Sequence, residues 1–221
     1  MLGKVFFYGR CFSVDNFCTF TPIIIKQKNM VNNTLRVLIC SASAIVFFSE
    51  MLISYQKRAG KHTQKADQGS LRLIWRVISV SSFVGFFIGF ASPYGGYEWG
   101  QYWLNYIALG LVPIGMTVRQ TAINTLKEFF TVQVAISPEH KLIDTGLYHY
   151  IRHPSYTGII IYMVGLSVSL SNWISILLLL IPVFGVIMYR IGIEEEALIN
   201  AFGKQYEDYR NRTGKLLPKF W

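Results

Sequence analysis

Long apolar runs separated by polar links dominate the chain and set out its architecture before any single residue is weighed. Residues 35–53 are apolar apart from Arg36 near one end and Glu50 near the other, close to the roughly 20 residues a helix needs to cross a hydrocarbon core. A second run covers residues 73–91, with Ser70 placed as its N-cap. A third, residues 102–118, carries Gly110, Pro113 and Gly115, which a membrane helix tolerates where its neighbours satisfy the freed backbone groups. Residues 157–170 make only about 21 Å of helix at 1.5 Å per residue, short for a full crossing. Ser171-Asn172 reads as a tight turn, and residues 173–189 form a fuller run with a kink site at Pro182. The pattern predicts an all-α integral membrane protein with about five transmembrane helices, the last two forming a helical hairpin.

The links are informative in their own right. Residues 92–100 combine Pro and Gly with Tyr and Trp but contain no Lys or Arg, as expected of a short external loop at the membrane interface. From Arg119 to Tyr156 the apolar continuity is lost for more than thirty residues, and loops beyond about 15 residues in compact proteins are usually functional or disordered. The aromatic content here argues against disorder. From Arg190 onward the tail is charged, with Leu198, Phe202, Tyr206 and Tyr209 at helical spacing, an amphipathic helix suited to lie on the membrane surface or over a site. Glu50 reads preferentially as an end residue snorkelling to the interface, with a buried polar contact as the alternative.

Composition agrees with this layout, since 52% of residues are hydrophobic and only 15% charged, against about 25% charged in soluble domains. The formal charge of +9 sits at the ends of apolar runs rather than along one polar face, which points to anionic lipid headgroups and away from nucleic acid. The basic residues of the first link, the long loop and the tail fall on one side of the membrane, which the positive-inside rule makes cytoplasmic. Residues 1–29 then fall outside, with Lys4, Arg10, Lys26 and Lys28. Starting at Met30 removes all four, so residues 1–29 are read as an extension of uncertain status. The membrane domain is residues 30–221, with a catalytic half from about residue 120. Cys11, Cys18 and Cys40 have neither metal spacing nor an obvious pairing.

The chemistry-bearing stretch is residues 146–158, with three Tyr, two His and an Arg immediately before an apolar run. Titratable groups at the edge of a membrane segment are costly, and so mark a functional site. Taken singly, Arg190 is an ordinary positive-inside anchor, Glu194-Glu195-Glu196 a solvated run, and the tyrosines interfacial anchors. Their combination is more specific. Phe129-Phe130-Thr131, His140-x-Leu142, Gly146-x-Tyr148, Arg152-His153-Pro154-Ser155-Tyr156-x-Gly158, Arg190 with Glu194-Glu195, Phe202-Gly203-x-x-Tyr206 and Leu217-Pro218 together resemble the isoprenylcysteine carboxyl methyltransferases and their bacterial and archaeal relatives. Phospholipid N-methyltransferases share that signature. The resemblance covers roughly the last hundred residues; the first 118 match only as generic membrane helices.

The resemblance implies an S-adenosylmethionine site at the cytoplasmic face, with the cofactor held by Gln133, by His140, Lys141, Leu142 and Ile143, by Tyr148, by His153, Pro154, Ser155 and Tyr156, and by Glu194. It implies Arg190 as the residue for an acceptor carboxylate. A carboxylate is already ionised near neutral pH and needs orientation, which a planar guanidinium supplies by a two-point grip. An amine acceptor would instead need a base, for which His153 and Glu195 are the candidates. The expected activity is methylation of a lipidic acceptor, preferentially a prenylcysteine-like carboxylate. Phospholipid amine N-methylation, a sterol-reductase-like nicotinamide enzyme and a non-catalytic membrane factor are the alternatives. The protein is expected in the plasma or inner membrane of a prokaryote, or the endoplasmic reticulum of a eukaryote.

Overall fold

The computed structural model describes residues 17–57, 64–65, 69–91, 103–132, 135–136 and 142–219, with backbone alone for 17–33, 64–65, 91 and 135–136. The anticipated external loop at 92–100 and the site candidates Gln133, His140 and Lys141 lie outside the described residues. The chain divides into two compact units, Met1–Cys40 and Ser41–Trp221. The described part of the first is helical backbone from Phe17. The second holds everything that follows here.

Among the described residues six α-helices run in chain order, α1 (Phe17–Gln56), α2 (Ser70–Ala91), α3 (Trp103–Leu126), α4 (Pro154–Ser169), α5 (Trp173–Phe202) and α6 (Lys204–Arg212). A two-residue antiparallel ladder pairs β1 (Gln64–Lys65) with β2 (Ala135–Ile136). Among the described residues four segments are long and apolar enough to cross a membrane, Thr34–Gln56, Ser70–Phe90, Trp103–Phe129 and Trp173–Phe202, and α4 is a shorter apolar helix. Their outward faces carry Ile45, Phe48, Val80, Phe83, Ile114 and Ile181, all exposed, as expected of surfaces solvated by acyl chains rather than water. The protein is therefore an integral, multi-pass helical membrane protein.

Two helices outrun the apolar patterns that announced them. α3 continues past Val118 to Leu126 and α5 past Tyr189 to Phe202, so Arg119 and Arg190 lie inside helices rather than at their ends. Each is buried, at 7% and 4% exposure, which is why hydropathy alone ended both runs too early. The hairpin forms as anticipated. Asn172 caps α5, its side chain accepting from the Ser175 N–H at 3.1 Å. α4 opens with Pro154 at its first position, where the missing N–H costs nothing. The single amphipathic tail helix is instead two pieces, because Gly203 turns the chain at φ +51° between α5 and α6.

α3 packs on α4, α2 on α5, and α4 on its hairpin partner α5. The α3–α4 contact is backbone against backbone. A Cβ at Gly158 would stand 2.6 Å from the Gly115 carbonyl oxygen and 2.7 Å from the Arg119 nitrogen, and one at Gly165 would stand 2.5 Å from the Ala108 carbonyl oxygen. Small residues at such crossings let membrane helices gain van der Waals contact where no hydrophobic drive exists. Arg119 is thereby brought alongside the first turn of α4.

The tail straps the entry to α4 from outside. The Arg152 N–H donates to the Gly214 carbonyl at 2.8 Å and the His153 N–H to the Lys215 carbonyl at 3.1 Å, while the Gly214 N–H returns a bond to the Tyr150 carbonyl at 3.1 Å. Thr157 Oγ1 donates to the Leu216 carbonyl at 2.7 Å. Arg152 reinforces the strap, donating from Nε to Glu195 at 2.9 Å and from Nη1 to the Arg210 and Thr213 carbonyls.

Two outcomes test this packing. Gly158→Ala is expected to lower stability by about 1–3 kcal/mol, the usual cost of overpacking, read as a lower unfolding midpoint in detergent. Gly185→Ala, with nothing within 4 Å of the added methyl, serves as the tolerant control. Arg152→Ala, which removes one of the three partners of Glu195 and the bonds to the Arg210 and Thr213 carbonyls, is expected to cost about 1–3 kcal/mol and to expose the tail to trypsin after Arg212 or Lys215 at protease levels that leave the parent intact.

Candidate functional site

Two successive residues in the first turn of α4 each meet a buried guanidinium. Ser155 Oγ accepts from Arg119 Nη1 at 2.6 Å, the arginine reaching over from α3. Tyr156 Oη accepts from Arg190 Nε at 2.8 Å, from α5. Arg119 is balanced by Glu50 of α1, with Nη2 donating to Oε2 at 2.6 Å and Nε lying against Oε1. Glu50 also accepts from Tyr162 Oη at 3.2 Å, two turns further along α4.

Arg190 is tied to two further places. Besides Tyr156 it donates from Nη1 to Ser70 Oγ at 2.6 Å, at the start of α2, and from Nη2 to the Val132 carbonyl. Val132 is in turn fixed by its N–H bond to the Lys57 carbonyl at 2.9 Å, at the end of α1. A guanidinium offers five donors in a rigid plane, and these bonds hold that plane in place. Glu194, one turn beyond Arg190 on α5, shares the cavity wall with Tyr156 and acts electrostatically on its phenol.

These groups line one cavity of about 560 Å³, within the usual size of a small-molecule site. One end is polar, with Tyr148, His153, Ser155, Tyr156, Arg190 and Glu194 among its walls. The other is apolar, with Phe47, Ile74, Trp75, Phe86, Met163 and Leu166. Tyr156, Ile159, Tyr162, Met163 and Leu166 all face it from α4, so the helix runs beside the cavity from the polar end into the apolar one, over about 15 Å at 1.5 Å per residue. Burial and the nearby Glu194 carboxylate push the Tyr148 phenol well above its ordinary range, so it stays neutral. Tyr209 fixes that segment by donating to the Tyr148 carbonyl at 2.7 Å, and its own phenol is pushed up to about 12, chiefly by burial.

Leu142, Ile143, Tyr148, His153, Ser155, Tyr156, Arg190 and Glu194 are thus gathered on one cavity. Pro154 serves as the first residue of α4. Glu195, expected as an alternative base, is placed elsewhere. It is absent from the cavity wall and is taken up by Arg152, by His153 Nε2 at 3.3 Å and by Lys215 at 3.5 Å. One residue along a helix turns a side chain by about 100°, which carries Glu195 to the strap and leaves Glu194 in the cavity. His153 is itself 4% exposed, with Nδ1 3.9 Å from Glu194.

Three participants were not singled out by sequence reading. Glu50 is no snorkelling end residue but the partner of Arg119 and Tyr162. Ser70, expected as a helix cap, opens α2 with its hydroxyl against Arg190. Arg119 was grouped with the loop charges. The available signal was an acidic residue inside one apolar run and a cation just past another, which in a membrane call for each other.

Comparison with known proteins agrees with this arrangement. Residues 108–200 match the model of the isoprenylcysteine carboxyl methyltransferase (ICMT) family. Among curated proteins, the chain is 37% identical over 120 residues to protein-S-isoprenylcysteine O-methyltransferase B of Arabidopsis thaliana, covering 53% of this chain and 61% of that protein. It is 35% identical over 146 residues to the protein-S-isoprenylcysteine O-methyltransferase of Tribolium castaneum, covering 65% of this chain and 51% of that one. A solved structure of the eukaryotic intramembrane Ras methyltransferase ICMT superposes with a TM-score of 0.54 at 33% identity, covering 65% of this chain and 52% of the other. The chain thus spans between half and two thirds of the length of these relatives. Motif, family model and fold agree in likening residues 108–200 to the isoprenylcysteine carboxyl methyltransferase family.

Proposed function

We propose that the protein is an S-adenosylmethionine-dependent methyltransferase that esterifies the carboxylate of a prenylcysteine-like lipid. The observation that carries this reading is the single cavity in which Arg190 and Glu194 stand at the polar end of an apolar chamber. A lipid tail fits the chamber lined by Trp75, Phe86 and Leu166, and its charged head then falls toward Arg190. The positive-inside pattern puts the polar end at the cytoplasmic face. The names of the family relatives support the same chemistry.

The residues present suit the methyl donor. Its ammonium and sulfonium call for an anion and for aromatic walls, which Glu194, Tyr148 and Tyr156 offer, while Leu142 and Ile143 add apolar wall. Gln133, His140 and Lys141 complete the set that the family motif assigns. When bound, S-adenosylmethionine supplies an electrophilic methyl group. The chain's own contribution is orientation. Arg190, held by Tyr156, Ser70 and Val132, grips the acceptor carboxylate and fixes one oxygen for in-line attack, and positioning of this kind supplies several kcal/mol. The apolar chamber excludes water, so the carboxylate attacks poorly solvated. An amine acceptor would need a base, and Glu195 is committed to the strap, where His153 Nε2 faces it. That favours ester formation over phospholipid N-methylation.

Membranes containing the protein, given methyl-labelled S-adenosylmethionine and a panel of prenylcysteine and phospholipid acceptors, are expected to yield a base-labile product that releases volatile methanol. A base-stable product would establish N-methylation instead. No label above a Glu194→Ala control, together with no cofactor binding, would sink the reading. Arg190→Ala is expected to reduce turnover by about a hundredfold or more, the scale seen when reacting groups lose their alignment, with S-adenosylhomocysteine affinity largely retained. Arg190→Lys, which keeps the charge but loses the planar grip, is expected to recover folding without recovering turnover. Equal loss of affinity and turnover in both would make Arg190 a cofactor or structural residue.

A further inference from the structure

The pair of Arg119 and Glu50 has no role in the reaction described so far, yet it lines the same cavity. Burying a matched ion pair in an apolar setting costs more than apolar packing of the same volume, so its presence asks for a reason. The geometry at Ser155 supplies one. A hydroxyl has one proton to donate and two lone pairs with which to accept. Arg119 Nη1 occupies one lone pair of Ser155 Oγ at 2.6 Å, and the Ser155 hydroxyl makes no other hydrogen bond among the described residues. Its proton is therefore left for whatever occupies the cavity.

Tyr156 shows the same device completed. Its oxygen accepts from Arg190, and the Glu194 carboxylate faces it on the same cavity, placed to take its proton. Arg190 thus aims Tyr156, and Arg119 aims Ser155, from opposite neighbouring helices onto one turn of α4. The difference is that Ser155 has no carboxylate waiting for its proton. Glu50 makes the arrangement workable by cancelling the charge of Arg119 and holding it through Nη2, and Tyr162 fixes Glu50 in turn.

We propose that Arg119, clamped by Glu50, is a positioning residue that turns Ser155 into an oriented hydrogen-bond donor for a ligand carboxylate in the cavity. Polarisation by a guanidinium strengthens the donated bond, and a carboxylate is the ligand group best matched to such a donor. Two carboxylates could reach this cavity, one at the amino-acid end of the methyl donor and one on the lipid acceptor. The inference rests on the methyl-transfer reading above for both ligands.

A double-mutant cycle tests it, with Arg119→Lys and Ser155→Ala alone and combined in the detergent-solubilised full chain. Lysine keeps the ion pair with Glu50 but cannot also hold Ser155. Dissociation constants are measured for S-adenosylhomocysteine and, separately, for N-acetyl-S-farnesylcysteine, with the unfolding midpoint as a check on structure. Each single variant is expected to weaken one of the two ligands about tenfold, the scale of a charge-assisted hydrogen bond. Arg119→Lys is expected to add nothing once Ser155 is alanine. The ligand affected identifies the carboxylate.

Additive losses in the double variant, or a loss tracking the unfolding midpoint alone, would make Arg119 merely structural and overturn the inference. So would unchanged affinity for both ligands in Arg119→Lys. If that variant does not fold, the charge-neutral combination of Arg119→Gln with Glu50→Gln replaces it in the same cycle, with the same outcomes deciding. A parent that binds neither ligand would overturn the methyl-transfer reading together with this one, whereas additive losses in a parent that binds both leave that reading standing.

Discussion

The structure depends on keeping two arginines buried against one turn of a helix. Arg119 and Arg190 reach Ser155 and Tyr156 from α3 and α5, in the part of the molecule that hydropathy assigns to the membrane. A buried cation is tolerable only if its hydrogen-bonding groups are met. Here the acceptors come from almost every element of the second unit. Arg119 takes Glu50 from α1 and Ser155 from α4, and Arg190 takes Ser70 from α2, Val132 from the connection after α3, and Tyr156. Each element is therefore located partly by what it offers to a guanidinium. The cavity is the space these spokes leave between them.

That arrangement requires α3 and α4 to approach more closely than ordinary side chains permit. The glycines at 115, 158 and 165 remove the obstruction, and only then does Arg119 lie beside Ser155. The constraint runs from sequence to site in one step, because a methyl group at Gly158 would push against the Arg119 backbone itself. Packing and function are not separable along this seam.

Much of this was legible in the chain. The apolar runs placed five helices, the Ser171-Asn172 turn placed the hairpin, and the motif from Arg152 to Gly158 together with Arg190 and Glu194 identified the residues that share the cavity. Where the reading erred over charged residues, the cause was hydropathy. Hydropathy scores a buried arginine as an end of the membrane, so α3 and α5 were cut short at Val118 and Tyr189. It also treats an acidic residue near the end of a run as one reaching for water, so Glu50 was assigned to the interface. Ser70 fits a cap by its position, and only the fold could bring Arg190 to its hydroxyl. Gly203 was read within a motif rather than as the break that its positive φ makes between α5 and α6.

The neighbouring pair Glu194 and Glu195 shows how the helix divides one acidic run between two tasks. Glu194 lies on the cavity wall and meets Tyr156. Glu195, about 100° around the helix, gathers Arg152, His153 and Lys215 and so holds the tail against the entry to α4. His153 lies between them, its two ring nitrogens toward the two carboxylates. The tail from Thr213 to Leu216 thereby does more than cover the site. By fixing Arg152 and His153 through backbone bonds, it sets where α4 starts, and with that the direction in which Ser155 and Tyr156 enter the cavity. A carboxylate off the cavity wall can in this way govern the geometry of the one beside it that lines the cavity.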